Sequence, residues 1–144
     1  MGELITGAYK LVSAAIDTRK VHFVTEGDPV GILMDADPEQ MERVFINLFT
    51  NAIDAMSGEG TLRVQALKGQ REARITVSDS GRGMPPEIVE KIFEPFYTTR
   101  DKGTGLGLAI IFSIINKHHG EISVESKPGE GTTFTITLPI RKGQ

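Results

Sequence analysis

The segment from Asp37 to Met56 constrains the fold of this chain more than any other. Asp37 and Pro38 place a capping carboxylate before a first-turn proline, which predicts that a helix begins here. On a wheel of about 100° per residue, the apolar side chains of the segment occupy an arc of about 200°. A helix that is apolar around most of its circumference needs covering on several sides, so we expect it at the centre of the fold. The residues of this arc are Met41, Val44, Phe45, Ile46, Leu48, Phe49, Ala52, Ile53, Ala55 and Met56.

Alternation of apolar and polar residues indicates strands with one buried face and one solvent face. Strands are predicted at residues 21–25, 30–34, 62–66, 73–77, 122–124 and 134–138. Further helices are predicted at residues 3–17, 86–93 and 106–118. Helices packed on one face of a mixed sheet give an α+β fold, a two-layer α/β sandwich. The apolar side of the first helix is predicted to consist of Leu4, Ala8, Leu11, Val12 and Ala15.

Length and composition favour one soluble domain. A chain of 144 residues has enough surface to bury for a single core. The net charge of −3 and the lack of any long run of lysine or arginine disfavour binding to nucleic acids or anionic membranes. There is no cysteine, which fits a reducing compartment, and no apolar run approaches the roughly 20 residues that span a bilayer. We expect a cytoplasmic domain, and the parent protein is left open as membrane-anchored or not.

A narrow polar stripe remains on the central helix. Asn47, Asn51 and Asp54 follow each other at i, i+4 and i+7, which places them on neighbouring turns of one face. Solvent-facing stripes usually carry glutamate and lysine, because asparagine is a poorer helix former. The stripe is therefore interpreted either as a thin solvated strip or as amide oxygens facing a ligand or a hard cation such as Mg²⁺.

Two glycine-rich segments lie after this helix. Asp79, Ser80, Gly81, Arg82 and Gly83 follow a predicted strand, so a carboxylate leaves the sheet edge just before a turn, although such turns are also common on surfaces. The second segment opens a predicted helix, whose free N–H groups and positive dipole end suit phosphate oxygens. No strand immediately precedes it, and no Gly-Lys-Ser/Thr sequence ends it, so it fits neither a Rossmann nor a Walker loop. It consists of Gly103, Thr104, Gly105, Leu106, Gly107 and Leu108.

The stretch between the two glycine segments predicts a mobile loop. Residues 93–102 are polar and turn-rich towards their end, which disfavours a continuing helix. Arg100 and Lys102 are placed to close over phosphates. A plain surface connection is the alternative interpretation.

Taken in order, four segments resemble the asparagine, first glycine, phenylalanine and second glycine boxes of sensor histidine kinases. They are residues 47–56 (Asn-Leu-Phe-Thr-Asn-Ala-Ile-Asp-Ala-Met), 79–83 (Asp-Ser-Gly-Arg-Gly), 93–96 (Phe-Glu-Pro-Phe) and 103–108 (Gly-Thr-Gly-Leu-Gly-Leu). Residues 129–134, Gly-Glu-Gly-Thr-Thr-Phe, resemble the closing glycine-threonine segment of that family. The resemblance covers the chain from about residue 21 to residue 139.

The resemblance implies the Bergerat-type ATP-binding fold shared with gyrase-type ATPases and the large heat-shock chaperone. It implies that Asp79 accepts a hydrogen bond from the adenine amino group, that Asn51 ligates Mg²⁺, and that Thr132 supports the adenine site through water. The nucleotide-contacting set that it implies is Asn47, Asn51, Asp54, Asp79, Gly81, Gly83, Thr98, Thr99, Arg100, Lys102, Gly103, Thr104, Gly105, Leu106, Gly107, Leu108 and Thr132.

Two features are similar to the nitrogen-regulator branch of the family. They are the Asn-Ala-Ile-Asp-Ala-Met sequence and the short Phe-Tyr-Thr-Thr-Arg stretch. Asp54 stands where many relatives carry lysine, so a phosphate role for this position is left open. Arg100 follows Thr98 and Thr99 and is the candidate for contacting the γ-phosphate, which makes Arg100 and Asn51 the predicted catalytic residues.

The family's phosphoacceptor, a histidine followed by an acidic residue on a helical hairpin, has no match in this sequence. His22 lies in a β-like run, and His118 and His119 end a helix, where imidazoles suit the negative end of the dipole. We expect the acceptor hairpin elsewhere in the parent protein, a response regulator downstream, and a mainly monomeric chain in isolation. Residues 1–20 are assigned to an N-terminal helix or a remnant of the hairpin region, and residues 21–144 to the catalytic domain.

Three other functions use the same fold. In an ATP hydrolase, a glutamate on the central helix activates water, but Asn47 stands at that position and a neutral amide is no general base. A noncatalytic nucleotide-sensing module would keep the same pocket, and a serine-directed kinase is a weaker alternative. Histidine kinase activity, with ATP and Mg²⁺ as cofactors, is the function that the sequence favours.

Overall fold

Four helices and five strands lie in the part of the chain that the computed structural model describes, residues 2–27, 36–92 and 107–140. The helices are α1 (Gly2–Ala15), α2 (Pro38–Ala55), α3 (Pro86–Val89) and α4 (Gly107–Lys117). The strands are β1 (Lys20–Gly27), β2 (Glu59–Lys68), β3 (Glu72–Asp79), β4 (Glu121–Lys127) and β5 (Gly131–Pro139). The predicted strand at residues 30–34 lies outside the described residues.

The strands form one mixed sheet in the order β1-β2-β3-β5-β4. β1 pairs with β2 in parallel, and the other neighbours pair antiparallel. Alternate side chains of the three central strands are buried against the helices, and the intervening ones face outward. This confirms the predicted α+β sandwich with helices on one face of the sheet. The inward-facing residues are Leu62, Val64, Ala66, Ala73, Ile75, Val77, Phe134, Ile136 and Leu138.

Helix α2 lies at the centre of the fold, as its apolar arc predicts. Asp37 caps it, because its Oδ1 accepts hydrogen bonds from the backbone N–H groups of Glu39 at 2.9 Å and Gln40 at 3.5 Å. Its buried residues are Met41, Val44, Phe45, Leu48, Phe49, Ala52 and Ile53. The helix ends at Ala55, and the turn that follows leads directly into β2.

Helix α1 packs on α2, but the predicted apolar face is rotated. Its buried residues are Ile5, Ala8 and Val12, while Leu11 is 51% exposed and Ala15 is also exposed. Leu11 was placed on the wrong side because consecutive residues differ by about 100° around a helix, and Val12 takes the inward direction. Tyr9 stacks on Phe23 of β1 with ring centroids 3.9 Å apart.

Helix α3 is shorter than the predicted segment of residues 86–93. After Val89, the Lys91 N–H bonds to the carbonyl of Ile88, only three residues back, and the chain leaves the α-helix there. Phe93 lies outside the described residues. Helix α4 ends at Lys117, one residue before its predicted end, and its predicted start at residue 106 lies outside the described residues. None of the helices in the described ranges is long and apolar enough to cross a membrane.

Candidate functional site

The C-terminal half of α2 forms one wall of the candidate site. Asn47 and Asn51 are half-buried and Asp54 is exposed, so the stripe runs from a partly covered surface to an open one. The i, i+4, i+7 spacing is preserved because α2 continues without a break through Ala55. Two amides and a carboxylate therefore share a face at the end of this helix.

The turn after β3 is held tightly against the end of α2. The backbone N–H of Arg82 donates to the carbonyl of Ala55 at 3.1 Å. A Cβ added at Gly81 would lie 2.6 Å from the Ala55 carbonyl oxygen, so only glycine permits this approach. Gly83 has a φ of +70°, and a Cβ there would lie 1.9 Å from the carbonyl oxygen of Lys127. Both predicted glycines thus fit where helix, turn and β4 converge.

Asp79 is the last residue of β3 and a half-buried carboxylate. Burial raises its pKa above the usual range for aspartate, because desolvation disfavours the charged form. Backbone N–H groups of Gly81 and Thr132 and the charge of Arg82 oppose this shift. The Gly81 N–H lies 2.8 Å from Oδ1. The site therefore holds a partly desolvated hydrogen-bond acceptor at the end of the sheet's middle strand.

Thr132 on β5 is the register partner of Asp79 and is buried, with 5% exposure. Its Oγ1 lies 2.8 Å from Ser126 Oγ. Ser126 Oγ donates to the Gly131 carbonyl at 3.1 Å and accepts from the Met84 N–H at 2.8 Å. Since a serine hydroxyl has one proton, Thr132 is the donor to Ser126, and the Thr132 oxygen keeps lone pairs for a further donor.

The sequence did not single out Ser126 or Met84, because the β4–β5 register that brings Ser126 opposite Thr132 is not readable from local pattern. Gly131 carried a visible signal in the glycine-threonine segment. Its φ is +103°, and a Cβ there would lie 2.1 Å from the Asp79 carbonyl oxygen. This glycine lets β5 start against the end of β3, which sets Thr132 beside Asp79.

The described structure brings together part of the predicted set. Asp79, Gly81, Gly83 and Thr132 lie at one end of the sheet beside the end of α2, where the Arg82 side chain also donates to the Asp54 carbonyl at 3.4 Å. Gly107 is the first residue of α4, and Leu108 is half-buried on it. The predicted residues that lie outside the described ranges are Thr98, Thr99, Arg100, Lys102, Gly103, Thr104, Gly105 and Leu106.

No group of three or more histidine, cysteine, aspartate or glutamate side chains that could hold a metal occurs within residues 2–27, 36–92 and 107–140. Asn51, half-buried on α2, carries an amide oxygen, and hard divalent cations accept oxygen ligands with water or phosphate in the other positions.

His118 has a structural role that the sequence only partly indicated. Its Nε2 accepts from the Asp37 backbone N–H at 3.1 Å, which places the proton on Nδ1. Nδ1 then donates to the Ile114 carbonyl at 2.8 Å, near the C-terminal end of α4. Both ring nitrogens are engaged, and the residue ties the end of α4 to the start of α2. His22 and His119 are exposed.

Comparison with known proteins agrees with this geometry. Residues 36–142 match the family described as histidine kinase-, DNA gyrase B-, and HSP90-like ATPase. The chain is 40% identical over 141 residues to the sensor histidine kinase ZraS of Salmonella typhimurium, which covers 97% of this chain and 30% of ZraS. It thus spans about a third of the length of such relatives.

Solved structures extend the comparison to three dimensions. The nucleotide-free catalytic domain of the histidine kinase ThkA superposes with a TM-score of 0.86 at 36% identity, covering 96% of this chain and 91% of that domain. ThkA in complex with the response regulator protein TrrA matches with a TM-score of 0.81 at 34% identity, covering 98% of this chain and 40% of that one. The chain therefore belongs to the family of histidine kinase-, DNA gyrase B- and HSP90-like ATPases, and it is similar to histidine kinase catalytic domains of that family.

Proposed function

We propose that this chain binds Mg-ATP at the end of the sheet where Asp79 and Thr132 lie. We propose further that it transfers the γ-phosphate to a histidine on a helical hairpin of its parent protein. The observation that carries the proposal is the Asp79 carboxylate, half-buried at the end of β3 and opposite the buried Thr132. A carboxylate can accept several hydrogen bonds, so Asp79 keeps acceptor capacity beyond its Gly81 contact, and the amino group of adenine is a suitable further donor.

The adenine end of the proposed site uses two acceptors. Asp79 accepts from the ring's exocyclic N–H, and the Gly81 N–H at 2.8 Å fixes the orientation of its carboxylate. Thr132 keeps acceptor capacity because its own proton is directed to Ser126. Guanine carries a carbonyl where adenine carries its amino group. It would therefore place a hydrogen-bond acceptor opposite two other acceptors. This arrangement supports selection of adenine over guanine.

The phosphate end of the proposed site lies along the α2 stripe. Asn51 would hold Mg²⁺ through its amide oxygen, and Asn47 lies one turn earlier on the same face. A cation held there would neutralise charge on the phosphates. The start of α4 at Gly107 offers N–H groups and a positive dipole end. Gly81 and Gly83 shape the turn beside the site, and Asp54 and Leu108 border it. Arg100, with Thr98, Thr99, Lys102 and the glycine segment at 103–106, is proposed to close over the γ-phosphate.

Asn47 favours phosphate transfer over hydrolysis of ATP. Activation of water benefits from a positioned base, which general acid–base catalysis values at about 10²–10⁴-fold, and an amide is no base near neutral pH. Neutral imidazole already carries a lone pair, so a histidine acceptor depends less on such a base. ThkA is known in complex with a response regulator, and we infer an analogous regulator as the partner downstream of this chain's parent. ATP use and the lack of cysteine support a cytoplasmic location.

Radiolabelled ATP separates the candidate activities. The chain is incubated with the parent's hairpin, supplied as a separate protein, and with the same hairpin whose acceptor histidine is replaced. Label on the intact hairpin alone is the expected result. Rapid release of phosphate without any hairpin would indicate a hydrolase, and nucleotide binding without transfer would indicate a sensing module.

A further inference from the structure

Arg82 is fixed at the open end of the candidate site by contacts on two sides. Its N–H donates to the Ala55 carbonyl at 3.1 Å, and its own carbonyl accepts from the Gly129 N–H at 2.7 Å. Its Nη1 donates to the Asp54 carbonyl at 3.4 Å, and its Nη2 lies 3.9 Å from the Asp54 carboxylate. The guanidinium is therefore held beside the last turn of α2, at the end of the polar stripe.

The Arg82–Asp54 pair contributes little to folding. The two side chains are 52% and 47% exposed, and ion pairs this open to solvent contribute little because water and salt screen them. The same exposure leaves guanidinium donors available to a ligand that arrives from solvent. Its five N–H groups form a planar fork that matches phosphate oxygens, and the Asp54 contacts hold this fork in place.

Arg82 carries a positive charge close to two carboxylates of the site. Asp54 brings negative charge to the end of the α2 stripe, where the phosphates are proposed to lie, and Asp79 brings negative charge to the adjoining base end. Arg82 lies close to both residues: it pairs with Asp54, and its charge helps to keep the pKa of Asp79 from rising further. Loss of Arg82 would leave the Asp54 carboxylate facing the phosphates without its ion-pair partner.

We propose that Arg82 is a nucleotide-binding residue that holds the phosphate chain, and that Asp54 positions it. This rests on the proposed function, since it names a residue of the same site. Asp54 is then a partner of the arginine, and it contacts neither phosphate nor metal directly. Arg82 contributes to affinity for the phosphates, whereas Asp79 and Thr132 contribute to affinity for the base.

Titration calorimetry with ADP and with adenosine tests the assignment. Arg82→Ala should weaken ADP binding about 5- to 20-fold, as expected for loss of a charge-assisted contact, and leave adenosine affinity within about twofold. The difference between Arg82→Ala and the wild type should shrink as salt is raised. Arg82→Lys should retain part of the ADP affinity. The matched control is Arg74→Ala, which removes an exposed arginine near the start of β3, at the end of that strand away from the site.

Asp54→Asn gives an independent test because it removes the carboxylate and keeps the shape. ADP affinity should fall a few-fold in this variant, because Arg82 loses the carboxylate that positions it. ADP affinity should instead rise when Asp54→Asn is added to Arg82→Ala, where an unpaired negative charge would otherwise face the phosphates. Equal losses for adenosine and ADP in Arg82→Ala would mean that the arginine only shapes the end of α2. Unchanged ADP affinity would overturn the assignment alone, whereas a wild-type chain that fails to bind ADP would overturn the proposed function as well.

Discussion

Asp79 and Thr132 face each other as register partners where β3 and β5 meet, and the Thr132 backbone N–H helps to keep the pKa of Asp79 from rising further. The two residues are 53 positions apart in sequence, and only the β3–β5 ladder brings them together. Gly131 makes this pairing possible, since a Cβ at that position would overlap the Asp79 carbonyl oxygen. The base-recognising end of the proposed site is thus built into the sheet itself.

Replacing Asp79 with asparagine should remove most of the affinity for adenine nucleotides. An amide can turn a donor towards the adenine amino group, and a buried unsatisfied donor costs about 1–3 kcal/mol, a loss of about 5- to 150-fold in affinity. Calorimetry with ADP measures the loss. Asp17→Asn, at an exposed aspartate paired with Arg19, should bind as the wild type does. Equal ADP affinity in both variants would refute the adenine assignment.

The same substitution should raise the stability of the protein without nucleotide at neutral pH. Burial raises the folded-state pKa of Asp79, so the folded protein takes up this proton at a higher pH than the unfolded chain does. Protonation of this carboxyl therefore raises the free energy of unfolding when the pH falls from neutral. Its deprotonation lowers the free energy of unfolding when the pH rises through the folded-state pKa. Denaturant unfolding of the wild type and of Asp79→Asn should converge towards acid pH. A gap that widens on acidification would contradict this sign.

The sequence was sufficient to predict the elements that depend on local pattern. The capping by Asp37 and the apolar arc of α2 were both readable, because a cap and a 3.6-residue period involve only near neighbours in sequence. Leu11 was misplaced because which side of α1 faces inward depends on its packing against α2 and β1. The Ser126–Thr132 contact was missed for a related reason, since strand register is a tertiary property.

Residues that carry a motif were easier to find than residues that support it. Asp79, Gly81 and Gly83 stand in a short recognisable segment, and the structure gives each a local reason. Arg82 lies inside that same segment, yet its contact with Asp54 joins residues 28 positions apart and carries no sequence pattern. Side-chain partners of this kind follow only from the fold.

Thr132→Val should reduce nucleotide affinity while keeping the shape of the side chain. The valine removes the hydroxyl that bonds to Ser126 and the acceptor proposed for the adenine site, and a typical hydrogen bond contributes about 0.5–1.5 kcal/mol. We expect ADP affinity to fall about 2- to 13-fold. Thr135→Val, on the outward face of the same strand, should leave ADP binding unchanged. Equal affinities in the two variants would remove Thr132 from the site.

His118→Ala should lower the free energy of unfolding by about 1 kcal/mol, because it deletes the hydrogen bonds to the Asp37 N–H and the Ile114 carbonyl. Asn at this position can restore only the local bond to Ile114. Denaturant unfolding should therefore rank the wild type above His118→Asn, and that variant at or above His118→Ala. His119→Ala, at the exposed neighbouring position, is the control. If His118→Ala and His119→Ala have the same free energy of unfolding, the His118 contacts that link α4 to α2 do not stabilise the protein.

Asn51→Ala should abolish phosphate transfer to the hairpin and leave the fold intact. The change deletes the amide oxygen proposed to hold Mg²⁺ and substitutes the best helix former within α2, so helix propensity does not fall. Transfer depends on position and on charge neutralisation at the phosphates, and both are lost when the cation is no longer held. The assay is radiolabelled ATP with the separate hairpin, and thermal unfolding verifies that the variant is folded. Asn116→Ala, at an exposed asparagine near the end of α4, should transfer at the wild-type rate. If Asn51→Ala transfers phosphate at the rate of Asn116→Ala, Asn51 is not the metal ligand, because loss of that ligand should stop the transfer.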